Sequence, residues 1–407
     1  MVNQLESLYT QNPFLPNGIA QGALPIKGNA RVGIQGLAGY VCKLRPISPK
    51  FGQKPAMDPI PVTRLANSRL PAVDFEDLPF GKVFADHMFV AEYEGGRWQN
   101  ARILPYGEIP TNPAISALHY GQSIFEGLKA YRNQKGDVQI FRPYDNMSRM
   151  IRSAGRLCMP AVTEEIFIGG LKALLSLDQD WVPRQSGYSL YIRPFMYAID
   201  EYVGIRPSDS YRFIIFNCPV GNYYTAPLHV KVSDRYVRAF PMGTGFAKVA
   251  GNYAAGMLPL KHAREAGYDQ LVWLDGKEMK YIEESGTMNL FFQIGDTLVT
   301  PIADGTILEG ITRDSILGLA VEAGLPVEVR KISIDEVVAA YDRGDLRDAF
   351  GTGTAATVAP ISSITVQERR LELPAMENRT YSTLLGRMLD DIKTGKTQDT
   401  RGWIMKL

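Results

Sequence analysis

The sequence predicts a mixed α/β protein of two domains, and three observations carry that reading. The chain has 407 residues, 45% of them hydrophobic, enough to bury a large core and fill two or three domains. Strand-like and helix-like runs follow one another irregularly, which argues against a doubly wound sheet. The stretch Gly221–Pro227 reads as a linker between the two halves. The expected organisation is an N-terminal arm and extended connector over 1–72, a small α/β domain over 73–220, a linker over 221–231 and a large domain over 232–407.

Residues 1–72 are rich in Pro, Gly and Asn, with some strand character over Arg31–Cys42 and an extended connector over Pro46–Pro61. Val83–Tyr93 and Trp98–Leu104 read as two strands joined at Glu94-Gly-Gly96. Ser123–Tyr131 and Val138–Phe141 form a second hairpin around Asn133-Gln-Lys-Gly136. Pro143 opens a helix through Leu157, with Met147, Met150 and Ile151 as its apolar positions. Glu164–Leu177 is a further helix, and Tyr188–Met196 and Tyr211–Cys218 are strands. In the second half, Met257–Glu265 is a helix and Gln270–Leu274 a strand. Strands are expected over Met279–Ile282, Asn289–Ile294 and Thr297–Pro301, with turns at Asp275-Gly276 and Gly295-Asp296. A well-capped helix is expected over Thr312–Ala323. Ser333 followed by Glu336 has the spacing of a capping box that opens a helix through Tyr341.

The balance of 44 basic and 43 acidic residues gives no footprint for nucleic acid or an anionic membrane surface. The expected partner is a small molecule or a second copy of the chain. Cys42, Cys158 and Cys218 are far apart, without a CxxC or Cys/His cluster, and read as buried thiols in a reducing compartment. No apolar run approaches a membrane span, and the start lacks the marks of a secretory signal or an arginine-rich presequence. Cytoplasm is the expected location.

Five segments carry candidate chemistry. Lys248 lies in Gly243-Thr-Gly-Phe-Ala-Lys248-Val-Ala-Gly-Asn-Tyr253. Small neighbours leave an amine room to meet an aldehyde, although a lone lysine is more often a solvated charge. Glu284 enters the apolar strand Leu290-Phe-Phe through Ser-Gly-Thr287-Met-Asn289. It suits a pyridine nitrogen, or else marks a strand end in solvent. Glu309-Gly310-Ile311-Thr312 precedes a helix, either a phosphate site or an ordinary helix start. Gly351-Thr-Gly-Thr354-Ala355-Ala356 offers donors for a phosphate or carboxylate, or forms a simple turn; it is neither a P-loop nor GxGxxG. Tyr191 and Arg193 share one strand face, suited to a carboxylate guest or to solvent.

The motifs also occur in a particular order. Phe80-Gly-Lys-Val-Phe-Ala-Asp-His-Met88, Phe125-Glu-Gly-Leu-Lys-Ala-Tyr131, Arg142-Pro, Asn146-Met-Ser-Arg149-Met and Leu190-Tyr-Ile-Arg-Pro194 come first. Cys218-Pro-Val-Gly221, Lys248-Val-Ala-Gly-Asn-Tyr253, Glu284-Ser-Gly-Thr-Met-Asn289, Leu308-Glu-Gly-Ile-Thr-Arg313 and Phe350-Gly-Thr-Gly-Thr-Ala355 follow. From Leu78 onward this closely resembles the branched-chain amino acid aminotransferases, pyridoxal 5'-phosphate enzymes of fold type IV. The resemblance implies a smaller N-terminal α/β domain and a larger C-terminal pseudo-barrel domain that binds the cofactor. It implies that Lys248 is the Schiff-base lysine and proton shuttle, with Tyr253 at the cofactor's phenolic oxygen and Glu284 at its ring nitrogen. Arg149, the Ile311 and Thr312 amides and Thr354 would hold the phosphate. Tyr120 and the amides of Thr354 and Ala355 would receive the α-carboxylate, and Arg193 the side-chain carboxylate of glutamate. Phe80, Phe125, Tyr191, Tyr223 and Thr287 would line the side-chain pocket, with Ile205 donated across a homodimer interface. The implied reaction is transamination of leucine, isoleucine and valine with 2-oxoglutarate. Ala356 and Ala359 stand where some relatives carry a redox CxxC, so no thiol regulation of that kind is expected. A D-amino acid aminotransferase, an aminodeoxychorismate lyase and a cofactor-free binding protein are the competing readings.

Overall fold

The computed structural model describes residues 59–407, apart from Asn222 and Thr225. The strand-like run Arg31–Cys42 and most of the arm lie outside the described residues. The first half contributes strands β1 (His87–Glu94), β2 (Arg97–Pro105), β3 (Ser123–Phe125), β4 (Leu128–Arg132), β5 (Val138–Phe141), β6 (Ser189–Ala198) and β7 (Tyr211–Val220). The second contributes β8 (Leu228–Val232), β9 (Gln270–Leu274), β10 (Ile282–Ser285), β11 (Met288–Ile294), β12 (Thr297–Thr300), β13 (Val327–Val329), β14 (Leu346–Gly353), β15 (Thr357–Val366), β16 (Arg369–Glu372) and β17 (Ile404–Lys406).

The strands form two sheets. The first runs β17-β5-β4-β6-β7-β1-β2, with β3 also on β6. The C-terminal strand therefore returns to the first sheet, where Ile404 sits opposite Phe141. The second follows the path β10-β9-β8-β15-β14-β11, and β10 pairs with β11 as well. Those six strands close on themselves, which removes their open edges. This is the barrel-like sheet that the fold class implies. β12 and β13 extend from β11, and β16 lies on β15.

Alternation along β11 shows how the ring is buried on both sides. Leu290 and Phe292 join the core shared with Ile361 and Ile364. Phe291, between them, faces the opposite way and stacks on Phe350 at 5.2 Å, beneath the helices Ile311–Glu322 and Tyr381–Lys393. A strand buried on both faces reads as a continuous apolar run, as Leu290-Phe-Phe does. Each such side chain contributes roughly 1.5–3 kcal/mol by leaving water. The first sheet packs the helices Pro143–Arg156 and Gly170–Leu177 over a core containing Phe89, Phe167, Trp181 and Phe213.

Val138–Phe141, Met257–Glu265 and Gln270–Leu274 match their expected bounds. Several elements differ for identifiable reasons. The strand expected from Val83 starts at His87, after Asp86 has turned its carboxylate to Ser68, Arg69 and Trp181. Ser123–Tyr131 is split into β3 and β4 at Glu126-Gly127, where Glu126 turns inward to Arg149. The helix expected from Glu164 begins as a π-turn over Glu165–Gly169. No strand forms over Met279–Ile282, because Asp275 gathers the amides of Lys277, Glu278, Lys280 and Tyr281 into a turn; the strand starts at Ile282. Ser333 caps its helix through the Glu336 amide at 3.1 Å, but the Glu336 carboxylate pairs with Arg330, so the box is half made. Cys158 is exposed rather than buried: it follows the end of the helix Pro143–Arg156 with a left-handed φ of 55°. Cys218 is buried, and burial raises its thiol to about 11. Strands β8 and β13 through β17 and the helix Tyr381–Lys393 had no counterpart in the sequence reading. Among the described residues, no helix is long and apolar enough to cross a membrane.

Candidate active site

Lys248 is fixed by its backbone. Its N–H donates to Ser153 Oγ at 2.9 Å, and its carbonyl accepts from Phe125 N at 3.1 Å. Asn252 locks the preceding loop by donating from Nδ2 to the carbonyls of Thr244 and Ala247, both at 2.8 Å. Ser153 and Arg149 lie four residues apart on the helix Pro143–Arg156, so one face supports both the lysine and the arginine. The Lys248 amine donates to the Tyr253 hydroxyl at 2.7 Å and sits 4.6 Å from the centre of the Phe125 ring. Burial lowers the amine to about 8, and the Arg149 charge adds to the fall. Burial raises the Tyr253 phenol, and the Glu284 carboxylate raises it further. An amine held near 8 has a usable neutral fraction at physiological pH, as a nucleophile or general base requires.

A second group converges from the closed sheet. Glu284 on β10 lies opposite Asn289 on β11. Glu284 accepts from the Leu308 amide at 2.6 Å, and Asn289 donates to the Leu308 carbonyl at 2.9 Å. Both sides of one peptide segment are therefore held by the same hairpin. Burial raises the Glu284 carboxyl; Arg238, 3.3 Å away, opposes that rise. Gly310 follows, and a Cβ there would stand 2.0 Å from Asn289 Oδ1. Gly310 also opens the helix Ile311–Glu322 without a side-chain cap, contrary to the expected good cap. Its lack of a side chain leaves the amides of Ile311 and Thr312 available to a guest anion.

Arg149 is gripped by Glu126, which is fully buried, through two 2.8 Å hydrogen bonds. It also donates to the Glu309 carbonyl at 3.2 Å. Burial pulls the guanidinium down, but the Glu126 carboxylate outweighs it and the net shift is upward. Sequence reading missed Glu126, Ser153 and Arg238 as supports. Glu126 carried a signal of the same kind as Glu284, an acid within two residues of a glycine at a strand junction.

The apolar wall comes from the first sheet. Tyr191 and Arg193 do share a face, and Arg193 Nη2 donates to the Tyr191 hydroxyl at 3.0 Å. The Arg193 guanidinium lies 4.7 Å from the Phe125 ring centre, and its Nε is buried without a partner. Phe80 meets Tyr191 edge-on at 5.2 Å and Tyr223 at 4.8 Å. A Cβ on Gly127 would fall 2.2 Å from the Tyr191 hydroxyl. Gly351–Gly353, expected in a loop, end strand β14; only Thr354–Ala356 make the turn into β15. Thr354 Oγ1 donates to the Gly127 carbonyl at 3.0 Å, and Lys129 Nζ donates to the Ala355 carbonyl at 2.8 Å. Tyr120 (44% exposed), Thr287 and Ile205 (93% exposed) are not joined to this network by a hydrogen bond or ring contact among the described residues.

The class IV amino-transferase family model matches residues 123–364. The chain is 44% identical over 343 residues to the branched-chain-amino-acid aminotransferase 2 of Bacillus subtilis, covering 83% of this chain and 94% of that protein. It is also 44% identical to the branched-chain-amino-acid aminotransferase of Mycolicibacterium smegmatis over 81% of this chain and 92% of that one. Among solved structures, the branched-chain amino acid aminotransferase of Escherichia coli superposes with a TM-score of 0.64 at 26% identity, covering 79% of this chain and 98% of that one. The T.th. branched-chain amino acid aminotransferase, solved with pyridoxamine 5'-phosphate, gives 0.64 at 27% identity, over 77% of this chain and 97% of that one. The chain belongs to the class IV aminotransferases, among the branched-chain-amino-acid aminotransferases.

Proposed function

We propose that this protein moves the amino group of leucine, isoleucine or valine to 2-oxoglutarate, giving the branched-chain 2-oxo acid and glutamate, with pyridoxal 5'-phosphate as cofactor. The observation that carries this reading is the Lys248 amine, lowered to about 8 by burial and held 2.7 Å from a phenol. Relatives at 44% identity carry the name of that activity.

The surrounding residues fit the cofactor. Arg149, the Ile311 and Thr312 amides and Thr354 offer positive charge and N–H or O–H donors to a phosphate. Glu284 offers a carboxylate to the ring nitrogen, and Tyr253 a hydroxyl to the phenolic oxygen. Bound pyridoxal phosphate supplies an aldehyde carbon and an electron-accepting ring. Glu284 would keep a proton on the ring nitrogen, while Arg238 opposes the effect of burial on its carboxyl. Lys248, once free, would take the proton from the substrate Cα and hold it on its amine for return. Tyr120 and the Thr354 and Ala355 amides receive the α-carboxylate. Phe80, Phe125, Tyr191, Tyr223 and Thr287 pack on the aliphatic chain, and the unpartnered Arg193 Nε serves the second carboxylate of 2-oxoglutarate. Apolar walls with one arginine accommodate both guests.

The working form is read as a homodimer. Tyr202, Val203 and Ile205 project from one loop at 46%, 67% and 93% exposure, an apolar surface that suits a second copy. A small domain over 73–220 and a large domain over 232–407 are supported by the two sheets, of which the first draws its strands from before the linker apart from β17 and the second draws all of its strands from after it. Cytoplasm is the proposed location, supported by the scarcity of cysteines. A panel of amino donors with 2-oxoglutarate, followed by glutamate formation, tests the reaction. L-Leucine, L-isoleucine and L-valine are expected to react and their D-isomers to fail. No glutamate from any of the three, or pyruvate released from aminodeoxychorismate, overturns it.

A further inference from the structure

Lys129 is a buried amine that the proposed chemistry does not use. It lies on β4 directly opposite Tyr191 on β6, on the strand pair that forms the pocket wall, and is only 7% exposed. A buried ammonium is costly unless it is paired. Its hydrogen-bond partner is the peptide oxygen of Ala355 rather than a carboxylate.

That oxygen belongs to the turn Thr354–Ala356, which the first sheet holds at two points and the helix Tyr381–Lys393 steadies at the next residue, Thr357. Thr354 Oγ1 reaches the Gly127 carbonyl, two residues before Lys129 on the same chain segment. Lys129 takes the Ala355 carbonyl. Lys393, also buried, donates from Nζ to Thr357 Oγ1 at 3.3 Å. Thr357 has a left-handed φ of 61°, uncommon for a β-branched residue, so the turn depends on its surroundings for its shape. A cation behind a turn that offers peptide donors raises the potential felt by an anion in front of it. A bound anion would in return add to the countercharge that the Asp390 carboxylate supplies from farther off.

We propose that Lys129 is a positioning residue for substrate carboxylate recognition, fixing the Thr354–Ala356 turn through the Ala355 carbonyl and adding positive charge behind it. This rests on the reading that the Thr354 and Ala355 amides receive the α-carboxylate. Burial lowers the Lys129 amine to about 7, with the neighbouring Lys393 adding to the fall and Asp390 opposing it, so the amine carries its charge in about half of the molecules near neutrality and a carboxylate bound in front of the turn would favour the charged form.

The test uses the cofactor-loaded enzyme and two unreactive probes, 4-methylpentanoate and its neutral amide, titrated by calorimetry. The wild type is expected to prefer the acid. In Lys129→Met the acid's Kd should rise about tenfold, the scale of one lost polar interaction, while the amide's Kd stays within about twofold. KM for leucine and for 2-oxoglutarate should rise together, with kcat within about threefold, and Lys129→Arg should restore much of the acid preference. Lys129→Gln reads the same ratio where the Met variant fails to fold. A wild type that binds acid and amide equally overturns the carboxylate reading and this proposal with it. A wild-type preference for the acid that survives intact in Lys129→Met or Lys129→Gln overturns the role of Lys129 alone.

Discussion

The floor of the site and its rim are built on opposite terms. On the floor, Lys248, Glu284 and Arg149 are each tied to named partners within the chain: Tyr253, the Leu308 amide and Glu126. At the rim, Tyr120 and Ile205 are exposed and make no hydrogen bond or ring contact with the floor among the described residues. The floor needs only this chain to hold its geometry, since preorganised groups cost little rearrangement when reaction begins. The rim has no such partners among the described residues. The two regions should therefore fail in different ways when altered.

The largest effect is expected on the floor. Lys248→Ala should lower kcat by about 10³-fold or more and remove the visible absorbance of the lysine-linked cofactor, with the same assembly state. Retained absorbance with full turnover would show that the floor is misassigned. At the rim, Ile205→Asp should weaken self-association about tenfold or more while leaving the Lys248 absorbance in place. Sedimentation velocity across a dilution series measures this; self-association unchanged by the substitution, or none in the wild type, would remove Ile205 from a contact between copies. Between the two lies Arg193, on the wall. Arg193→Ala should raise KM for 2-oxoglutarate about tenfold more than KM for leucine, because only the former loses a charged partner. Equal losses would remove Arg193 from specificity.

The smallest effect is a pH slope in stability. The Lys129 and Lys393 amines are lowered by burial to about 7 and about 8 in the folded chain and recover their ordinary value of 10.5 on unfolding. The unfolded chain thus binds more protons above about pH 7, and stability of the loaded protein should rise from there to pH 9. Above that, Cys218, raised from 9.0 to about 11, works in the opposite sense. Urea midpoints across this range should increase, and Lys129→Met should flatten the lower part. A flat wild-type profile would mean that the amines are better solvated than their burial indicates.

Lys248, Tyr253 and Glu284 were legible in the sequence through the order of their motifs and the family resemblance, since a lone lysine among small residues is more often a solvated charge. That Lys248 reaches Tyr253, and that Glu284 faces Asn289 across one hairpin, came from the structure. Local spacing fixed the bounds of Val138–Phe141 and Gln270–Leu274. What escaped depends on contacts between distant segments. Glu126 reads as one acid in an aromatic strand until the helix Pro143–Arg156 delivers Arg149 to it. β17 has no partner in its own neighbourhood and pairs with a strand more than 250 residues earlier, beyond the reach of periodicity. The Met279 strand was lost to a single side chain, Asp275, whose four amide partners outcompeted local β preference.

The break at Glu126-Gly127 has a further consequence, as a gauge of depth. Gly127 leaves room for the Tyr191 hydroxyl at a place where a methyl group would stand 2.2 Å from it. That hydroxyl accepts from Arg193, and the Gly127 carbonyl accepts from Thr354. One missing methyl group thus calibrates how far the aromatic wall may advance toward the Thr354 turn. On the proposal that Tyr191 lines the side-chain pocket, the depth of that pocket would be metered by a glycine behind the wall.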